Sequence, residues 1–453
     1  MTPSTTVTPS TTTSSSTEPQ TARSLQRDRY DTVVIGGGPA GAAAATLVAQ
    51  AGHDVLLLEK AQFPRFKIGE SLIPATYEIL DRLDMLEPLK DSSFVKKYSV
   101  QFVSGRGKAS APFYFHETDP RPRSQTWQVK RADFDRMMLD NARSRGVEVH
   151  ESVTVVDVPF EGDRALGVRA RFADGVERDI TARAVIDASG QRSLIARKRK
   201  LRRPDPCLRM AAFFTHYQGA QRDSGIDEGT TIVLHTENQD GWFWYIPLQD
   251  DTVSVGAVGP LSRLVKGRQG DPQQVFDEEV ARCPGLVPRL EGATQTMPVK
   301  VLNDFSYRST RIAGDGWVLA GDAYGFLDPM YSSGVLLALR SGAMAADAVI
   351  DGLAHDDLSA ARLGAHEIDM RDGMQAFKRL IYAFYTPGFS FASFLKAHPV
   401  HRDAVVHILT GDVFDRDFSA LFIDLNRFVA AMGWPPSAKD DGAGDKGDMA
   451  GAA

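Results

Sequence analysis

Cysteine is scarce in this chain of 453 residues, and neither sign of charge is in large excess. The two cysteines, Cys207 and Cys283, lie far apart and form no C-x-x-C pair. Their spacing excludes a disulfide scaffold and a cysteine-ligated metal site, and it favours a reducing cytoplasm as the location. The formal net charge of −6 lacks the basic excess of nucleic-acid-binding proteins. No apolar run approaches the roughly 18 to 20 residues of a membrane span.

Histidine offers no metal site either. The ten histidines include no H-E-x-x-H motif. The nearest pair, His398 and His401, lies in a polar turn without an adjacent acidic pattern. We therefore predict that the protein holds no metal.

Both ends of the chain have the composition of tails. Residues 1–29 are rich in Ser, Thr and Pro and cannot bury enough apolar surface to order themselves, so we predict a disordered tail. This segment lacks the basic and apolar regions of a signal peptide. Residues 437–453 are rich in Gly, Asp and Ala and are predicted to be flexible. The remaining length suffices for about two or three domains.

A nucleotide-binding pattern follows the first tail. Residues 30–35 are a β-branched apolar run that predicts a buried strand, and residues 42–50 predict an Ala-rich helix. Between them stand the glycines of a G-x-G-x-x-G motif, Gly36, Gly38 and Gly41. A second apolar run, 53–58, ends in Glu59, an acid placed to bind ribose hydroxyls. The pattern predicts a dinucleotide site without separating NAD from FAD.

Two later strand ends and an arginine decide between these cofactors. Residues 317–323 predict a strand ending in Gly321-Asp322 with a helix over 335–350, and Asp187 ends the run 185–190. Together with Arg131, these segments resemble flavoproteins of the p-hydroxybenzoate hydroxylase type. The resemblance implies FAD, with Asp322 on its ribityl chain. It also implies that FAD contacts a set of residues spread over the chain: Gly36, Gly38, Pro39, Ala40, Gly41, Glu59, Lys60, Arg65, Ser71, Arg131, Asp187, Asp322, Pro329, Gly334 and Val335.

Three further segments narrow the class. Residues 66–74 (FKIGESLIP), 241–247 (GWFWYIP) and 326–334 (FLDPMYSSG) stand in that order along the chain. They match the K-x-G-E-S-L-x-P, W-x-W-x-I-P and F-x-x-P-x-x-S-x-G patterns, and here the sequence resembles FAD-dependent halogenases acting on phenols or pyrroles. The resemblance implies halogenation through hypohalous acid derived from a flavin hydroperoxide, with FADH2 received from a separate flavin reductase.

The resemblance makes Lys67 the candidate catalytic residue. Its ammonium can hydrogen-bond hypohalous acid, or its neutral amine can form a haloamine, and the sequence does not choose between these. By spacing alone, Lys67 is equally a solvated lysine in the basic stretch 65–67.

The chloride or bromide ion needs donors beside the flavin. The backbone N–H groups of Ser333 and Gly334, at a predicted helix start, can supply them because donors and dipole there favour an anion. The alternative is that these residues only turn the chain into the helix.

Trp242 and Trp244 alternate along a predicted strand and therefore share one face. Two indoles there can shield the flavin so that only a small oxidant crosses, or they can be ordinary core packing. The resemblance also places Pro247, Phe326 and Ser332 in the motifs that shield the flavin.

The predicted fold is α/β: a Rossmann-like FAD-binding domain with an antiparallel-sheet substrate domain and a helical C-terminal region. The FAD-binding domain is discontinuous (30–88, 129–204 and 301–354), the substrate-side sheet takes 89–128 and 205–300, and the helical region takes 355–436. The sequence thus favours an FADH2-dependent halogenase of an electron-rich aromatic, free or tethered to a carrier protein. A flavin-dependent aromatic hydroxylase, a geranylgeranyl-reductase-type oxidoreductase and a non-enzymatic flavin-binding sensor are the alternatives.

Overall fold

The computed structural model describes residues 25–268 and 270–433. Most of the predicted N-terminal tail and all of the predicted C-terminal tail lie outside these residues. The described part contains two large sheets, several smaller ones, and helices that concentrate after residue 330.

The strands, in chain order, are β1 (Arg29–Ile35), β2 (Val55–Leu58), β3 (Val95–Lys97), β4 (Ser99–Val103), β5 (Phe113–Tyr114), β6 (Thr126–Gln128), β7 (Glu148–His150), β8 (Thr154–Asp157), β9 (Phe160–Glu161), β10 (Arg164–Ala165), β11 (Gly167–Arg171), β12 (Glu177–Asp187), β13 (Arg202–Pro204), β14 (Met210–Gln218), β15 (Thr231–His235), β16 (Trp242–Pro247), β17 (Thr252–Pro260), β18 (Thr294–Gln295), β19 (Lys300–Asn303), β20 (Tyr307–Ser309), β21 (Ala313–Gly314), β22 (Trp317–Leu319) and β23 (Gly325–Phe326). The α-helices are α1 (Pro39–Gln50), α2 (Tyr77–Arg82), α3 (Leu86–Lys90), α4 (Arg131–Ser144), α5 (Leu194–Lys198), α6 (Leu261–Leu264), α7 (Pro272–Ala281), α8 (Ser333–Ala354), α9 (Ala360–Leu363), α10 (Glu367–Tyr385), α11 (Phe391–Ala397), α12 (Arg402–Thr410) and α13 (Ser419–Ala430).

The first sheet is built around the glycine motif. Its strand order is β21-β22-β12-β1-β2-β7, and β1 pairs in parallel with both β12 and β2. The apolar side chains of β1 and β2 are buried on both faces, as parallel strands covered by helices require. The neighbouring ends of β1, β12 and β22 therefore bring the glycine motif, Asp187 and Asp322 to one edge.

Helix α1 begins earlier than its Ala-rich composition suggests. It starts at Pro39, three residues before the predicted start at 42, with Gly38 as its N-cap. Proline is suited to this first position because the N–H it lacks would have no partner inside the helix. The loop between β1 and α1 is consequently short enough to bring the helix start close to the strand end.

The second sheet contains the tryptophan motif. Strands β14, β17, β16 and β15 are antiparallel neighbours, but β15 pairs in parallel with β4, so the sheet is mixed at that one pair. Strand β19 pairs with β14, which extends this sheet three residues past the predicted boundary at 300. One face packs into the main core, and the other forms a smaller core with α7.

Helix α8 is the most apolar long helix of the described chain. By length and composition it could cross a membrane, but 61% of its most apolar window is buried inside the protein. It packs against α1, and Gly342 allows this because a Cβ there would lie 2.4 Å from the Ala40 carbonyl oxygen. Its apolar composition is thus accounted for by a central position in the core. After it, helices α9 to α13 form the predicted helical region.

Candidate functional site

A cavity of about 530 Å3 lies between the two large sheets. Of the residues that the sequence predicts for the site, those on its lining are Gly36, Gly38, Pro39, Ala40, Glu59, Lys60, Arg65, Lys67, Ser71, Arg131, Trp242, Trp244, Asp322, Phe326, Pro329, Ser332, Gly334 and Val335. The structure therefore brings residues from five stretches of the sequence, separated by up to three hundred residues, to one place. Gly41, Asp187, Pro247 and Ser333 do not line it.

The glycine loop forms one end of the cavity. Helix α1 has no side-chain cap and no acid in its first turn, so its first N–H groups remain available to a phosphate. The buried Glu59 carboxylate accepts hydrogen bonds from the N–H groups of Gly37 (2.7 Å) and Ala61 (2.8 Å). An anion-binding helix start next to a fixed carboxylate fits the pyrophosphate and ribose of a dinucleotide.

Gly41 and Asp187 lie behind the cavity wall. A Cβ on Gly41 would come 1.9 Å from the Gly36 carbonyl oxygen, so only glycine lets α1 approach β1 this closely. The buried Asp187 carboxylate accepts from the N–H groups of Ser189 (3.0 Å) and Ile195 (2.7 Å). Asp187 thus holds the loop 188–192, which does line the cavity.

Two arginines share one carboxylate beside the cavity. Arg131 forms a bidentate pair with the buried Asp135 (2.7 and 2.9 Å) and donates to the Ile68 carbonyl oxygen (2.6 Å). Arg65 reaches the same carboxylate at 2.6 Å. The pairing fixes both guanidinium groups and ties the 65–69 segment to helix α4.

Lys67 lines the cavity, and the pKa of its amine is shifted from the usual value. Burial lowers the pKa of its amine, the nearby cations of Arg131 and Arg65 lower it further, and the Asp322 carboxylate opposes the shift. Burial raises the pKa of Asp322, against the attraction of Lys67 and Arg131. A lysine of this kind is more readily deprotonated than a solvated one, and the neutral amine is nucleophilic.

The segment before α8 forms a further part of the wall. Ser332 has left-handed backbone torsions (φ 54°), and α8 starts directly after it, two residues before the predicted helix start at 335. The helix has no side-chain cap and no acid in its first turn. Gly334 faces the cavity, whereas the Ser333 side chain is buried. Any halide contact of Ser333 must therefore come from its backbone.

The two tryptophans share the cavity face of β16, as the alternation predicts. Their ring centroids lie 6.3 Å apart, while Phe243 and Tyr245 point into the smaller core on the other face. Pro247 is buried at the end of this strand. Both indoles thus line the cavity and are also buried in the core, and their role in shielding the flavin stays a prediction.

Gly256, on the neighbouring strand, makes room for one of them. It is the cross-strand partner of Trp244, and a Cβ on it would lie 2.1 Å from the indole ring. The Trp244 ring therefore lies flat across β17, where its Nε1 donates to Ser254 Oγ (3.1 Å).

Several contacts at the cavity involve residues outside the sequence motifs. His216 Nε2 lies 2.7 Å from the Glu70 carboxylate, and the Lys300 amine lies 4.1 Å from the centroid of the Phe66 ring. The aromatic part of the lining also includes Phe214. Only an alternation of apolar residues in β14 could have pointed to Phe214, and no sequence signal identifies the partners of Glu70 and Phe66.

A buried lysine underlies the 67–71 segment. Lys97 is fully buried, and its Nζ donates to Ser71 Oγ (2.8 Å) and the Leu72 carbonyl oxygen (2.9 Å). Burial lowers the pKa of its amine to about 7. Ser71 Oγ also lies 2.9 Å from Thr231 Oγ1, so the lysine fixes a hydroxyl pair on the cavity wall.

In the folded chain, the carboxylate of Asp424 lies next to the histidine pair His398 and His401. His398, His401 and Asp424 place potential ligand atoms within 4.8 Å of one another. His401 Nε2 lies 2.9 Å from one Asp424 oxygen, and Arg427 approaches the other at 3.5 Å. The Asp424 carboxylate thus already has His401 and Arg427 as partners, and none of the residues of the cluster lines the cavity. The absence of a metal remains a prediction.

Comparison with known proteins agrees with this geometry. A family model described as an FAD binding domain matches residues 29–356. The chain is 30% identical to the 1H-pyrrole-2-carbonyl-[peptidyl-carrier protein] chlorinase of Pseudomonas fluorescens, covering 89% of this chain and 94% of that protein. It is 32% identical to the corresponding brominase of Pseudoalteromonas luteoviolacea, covering 85% and 93%.

Solved structures show the same relationship. The structure of the flavin-dependent brominase Bmp2 superposes with a TM-score of 0.79 at 32% identity, covering 89% of this chain and 99% of that one. The myxobacterial chondrochloren halogenase CndH, an FAD-dependent halogenase, gives a TM-score of 0.73 at 32% identity, with coverage of 89% and 97%. The chain accordingly has an FAD-binding domain and belongs to the flavin-dependent halogenases.

Proposed function

We propose that this enzyme chlorinates or brominates an electron-rich aromatic ring, a pyrrole or a phenol, through hypohalous acid that Lys67 delivers. The observation that carries the proposal is the convergence of Lys67, the start of α8 and the tryptophan pair on one cavity. When bound, reduced FAD supplies, with O2, the oxidising equivalents for halide oxidation.

Residues of the chain bind the halide, deliver the halogen and shield the flavin. The N–H groups of Ser333 and Gly334 bind the halide, because the start of α8 offers free donors and the positive end of a dipole. Lys67 hydrogen-bonds the hypohalous acid or carries the halogen on its amine, and its lowered pKa is compatible with both. Trp242 and Trp244 keep the substrate away from the flavin, so that only the small oxidant crosses.

We propose a carrier-tethered pyrrole as the preferred substrate. Two relatives that this chain matches over more than nine-tenths of their length act, by name, on pyrrole-2-carbonyl groups bound to a peptidyl carrier protein. The aromatic lining, which includes Phe66, Phe214 and Phe305, suits a flat ring of this kind. Free phenols are the second substrate class.

We also propose that reduced flavin comes from a separate reductase in the cytoplasm. In sequence, the chain shows one complete glycine fingerprint, at 36–41, and this one belongs to the FAD site. Purified protein should therefore consume NADPH only when a flavin reductase is added. Rapid NADPH oxidation without it would contradict this part of the proposal.

The test supplies FAD, a flavin reductase, NADH, O2 and either chloride or bromide. The substrates are pyrrole-2-carbonyl carrier protein, free pyrrole-2-carboxylate and a phenol panel, with products identified by mass. We expect halogenated product, and most with the carrier-bound pyrrole. Oxygenated products without halogen under every condition would refute the proposal.

Lys67→Ala isolates the proposed catalytic group. It should abolish halogenation while flavin oxidation continues, because the amine acts after halide oxidation. Lys67→Arg keeps the positive charge but has no nucleophilic amine, so activity in this variant would favour hydrogen bonding over a haloamine. Unchanged halogenation in Lys67→Ala would remove this residue from the mechanism.

A further inference from the structure

A tyrosine of the C-terminal region connects two motifs of the cavity wall. Tyr385 is the last residue of α10, and its hydroxyl accepts a hydrogen bond from Trp242 Nε1 (2.9 Å). The same hydroxyl donates to the Asp328 carboxylate, with oxygens at 3.1 and 3.2 Å. Trp242 and Asp328 are 86 positions apart in the sequence, and one hydroxyl bridges them.

Asp328 in turn shapes the loop that leads to the proposed halide site. Its carboxylate is buried and accepts from the Met330 N–H (3.0 Å), which caps the short helical turn Pro329–Tyr331. Ser332 and the start of α8 follow directly. The position of the Asp328 carboxylate therefore sets the chain just ahead of the start of α8.

A second hydroxyl supports this arrangement. Tyr331, within the same turn, donates to the Leu380 carbonyl oxygen of α10 at 3.1 Å. Helix α10 thus holds the turn at two points, and one of them extends to the tryptophan wall. Phe384 packs against Trp242 beside the bridge, with ring centroids 6.3 Å apart.

We propose that Tyr385 is a positioning residue of the halogenation reaction: it orients the Trp242 indole and, through Asp328, the loop before the halide site. The inference rests on the proposed function. It makes the C-terminal helical region a determinant of coupling, meaning the fraction of oxidised FADH2 that appears as halogenated product.

The hydroxyl is essential to this role because its partners are buried. In Tyr385→Phe the ring volume is kept, but the Trp242 N–H loses its acceptor and Asp328 keeps only the Met330 donor. A buried polar group without a hydrogen-bond partner costs free energy. The Trp242 indole and the loop around Asp328 should therefore shift toward other partners. Trp242 would then leave a gap in the wall, and the donors at the start of α8 would lose their alignment.

Tyr385→Phe should lower coupling about five- to tenfold, with a matching rise in hydrogen peroxide, because the Trp242 N–H and the Asp328 carboxylate both lose the tyrosine hydroxyl as a partner. The apparent KM for bromide should rise, because the donors at the start of α8 lose their alignment. The assay is the reconstituted reaction of the full-length enzyme with the substrate that it halogenates.

Tyr382→Phe is the matched control. Tyr382 lies one turn earlier in α10, and its hydroxyl donates to Asp205 (2.9 Å). This variant loses a comparable tyrosine hydroxyl and should keep wild-type coupling. Equal losses in the two variants would mean that the helix acts only through stability, and that result would overturn the inference.

Asp328→Asn gives a second route if Tyr385→Phe does not fold. The amide keeps an acceptor for Met330 or Tyr385 but removes the second carboxylate oxygen, so coupling should fall in the same direction by a smaller factor. Wild-type coupling in Tyr385→Phe, or in a folded Asp328→Asn when the tyrosine variant cannot be purified, would refute the positioning role. A wild-type enzyme that makes no halogenated product would refute the proposed function instead.

Discussion

Replacing Lys97 by methionine should change how the stability of the protein depends on pH. Lys97 is fully buried, and its amine meets a hydroxyl, a carbonyl oxygen and the face of Phe115 (5.4 Å) rather than a carboxylate. Burial lowers its pKa from 10.5 to about 7. Between those values the folded state holds a neutral amine while the unfolded state holds a proton.

The direction of the pH dependence follows from the number of protons that the folded and unfolded states bind. Because the unfolded chain binds more protons between pH 7 and 10.5, the free energy of unfolding rises with pH across this window. At about 1.4 kcal/mol per pH unit, the full difference is at most about 5 kcal/mol. A measurement over two pH units inside the window should capture about 2 to 3 kcal/mol.

The assay compares wild type with Lys97→Met by urea unfolding at pH 7.5, 8.5 and 9.5 with the same excess of FAD. At pH 7.5 the free energy of unfolding of the variant should equal or exceed that of wild type. As the pH rises, the free energy of unfolding of wild type should increase relative to that of the variant. Lys96→Met, at the exposed neighbour, should keep the wild-type slope. A constant difference between wild type and Lys97→Met at all three pH values would show that the buried amine keeps its proton, against this reasoning.

Two glycine substitutions test the close approaches around the cofactor. Gly41→Ala would place a Cβ 1.9 Å from the Gly36 carbonyl oxygen, so α1 must move away from β1, and the purified protein should lose FAD; normal FAD affinity by flavin fluorescence would contradict the packing argument. Gly256→Ala would place a Cβ 2.1 Å from the Trp244 ring. The indole should be displaced and halogenated product per FADH2 should fall, whereas unchanged coupling would show that the wall tolerates the shift.

The parts of the site that could be predicted from the sequence lie within short, continuous motifs. The glycine loop, Glu59 and Lys67 each belong to such a segment, and the structure places all of them at one cavity. The strand pattern around them sufficed because parallel buried strands require apolar runs, and the proline after the glycines suits the first position of helix α1.

The parts that could not be predicted depend on contacts between distant segments. Lys97 looks like a solvated lysine next to Lys96, since nothing local shows that Ser71 will cover it. In the sequence, Tyr385 resembles the apolar end of an amphipathic helix. Its hydroxyl finds hydrogen-bond partners only in the folded chain, where Trp242 and Asp328 lie beside it. Such polar contacts are set by tertiary packing, for which spacing along the chain carries no signal.

The connectivity of the first sheet has a consequence for biosynthesis. Strand β1 has β12 as its neighbour, and β12 is completed by β22, so the sheet cannot close until Trp317–Leu319 has been made. At about 5 to 20 residues per second, on the order of 15 to 60 seconds pass between the synthesis of β1 and that of β22. During this time β12 lacks its neighbour β22 and α1 lacks α8, so nascent chains that end before Trp317 should be bound by chaperones and fail to retain flavin.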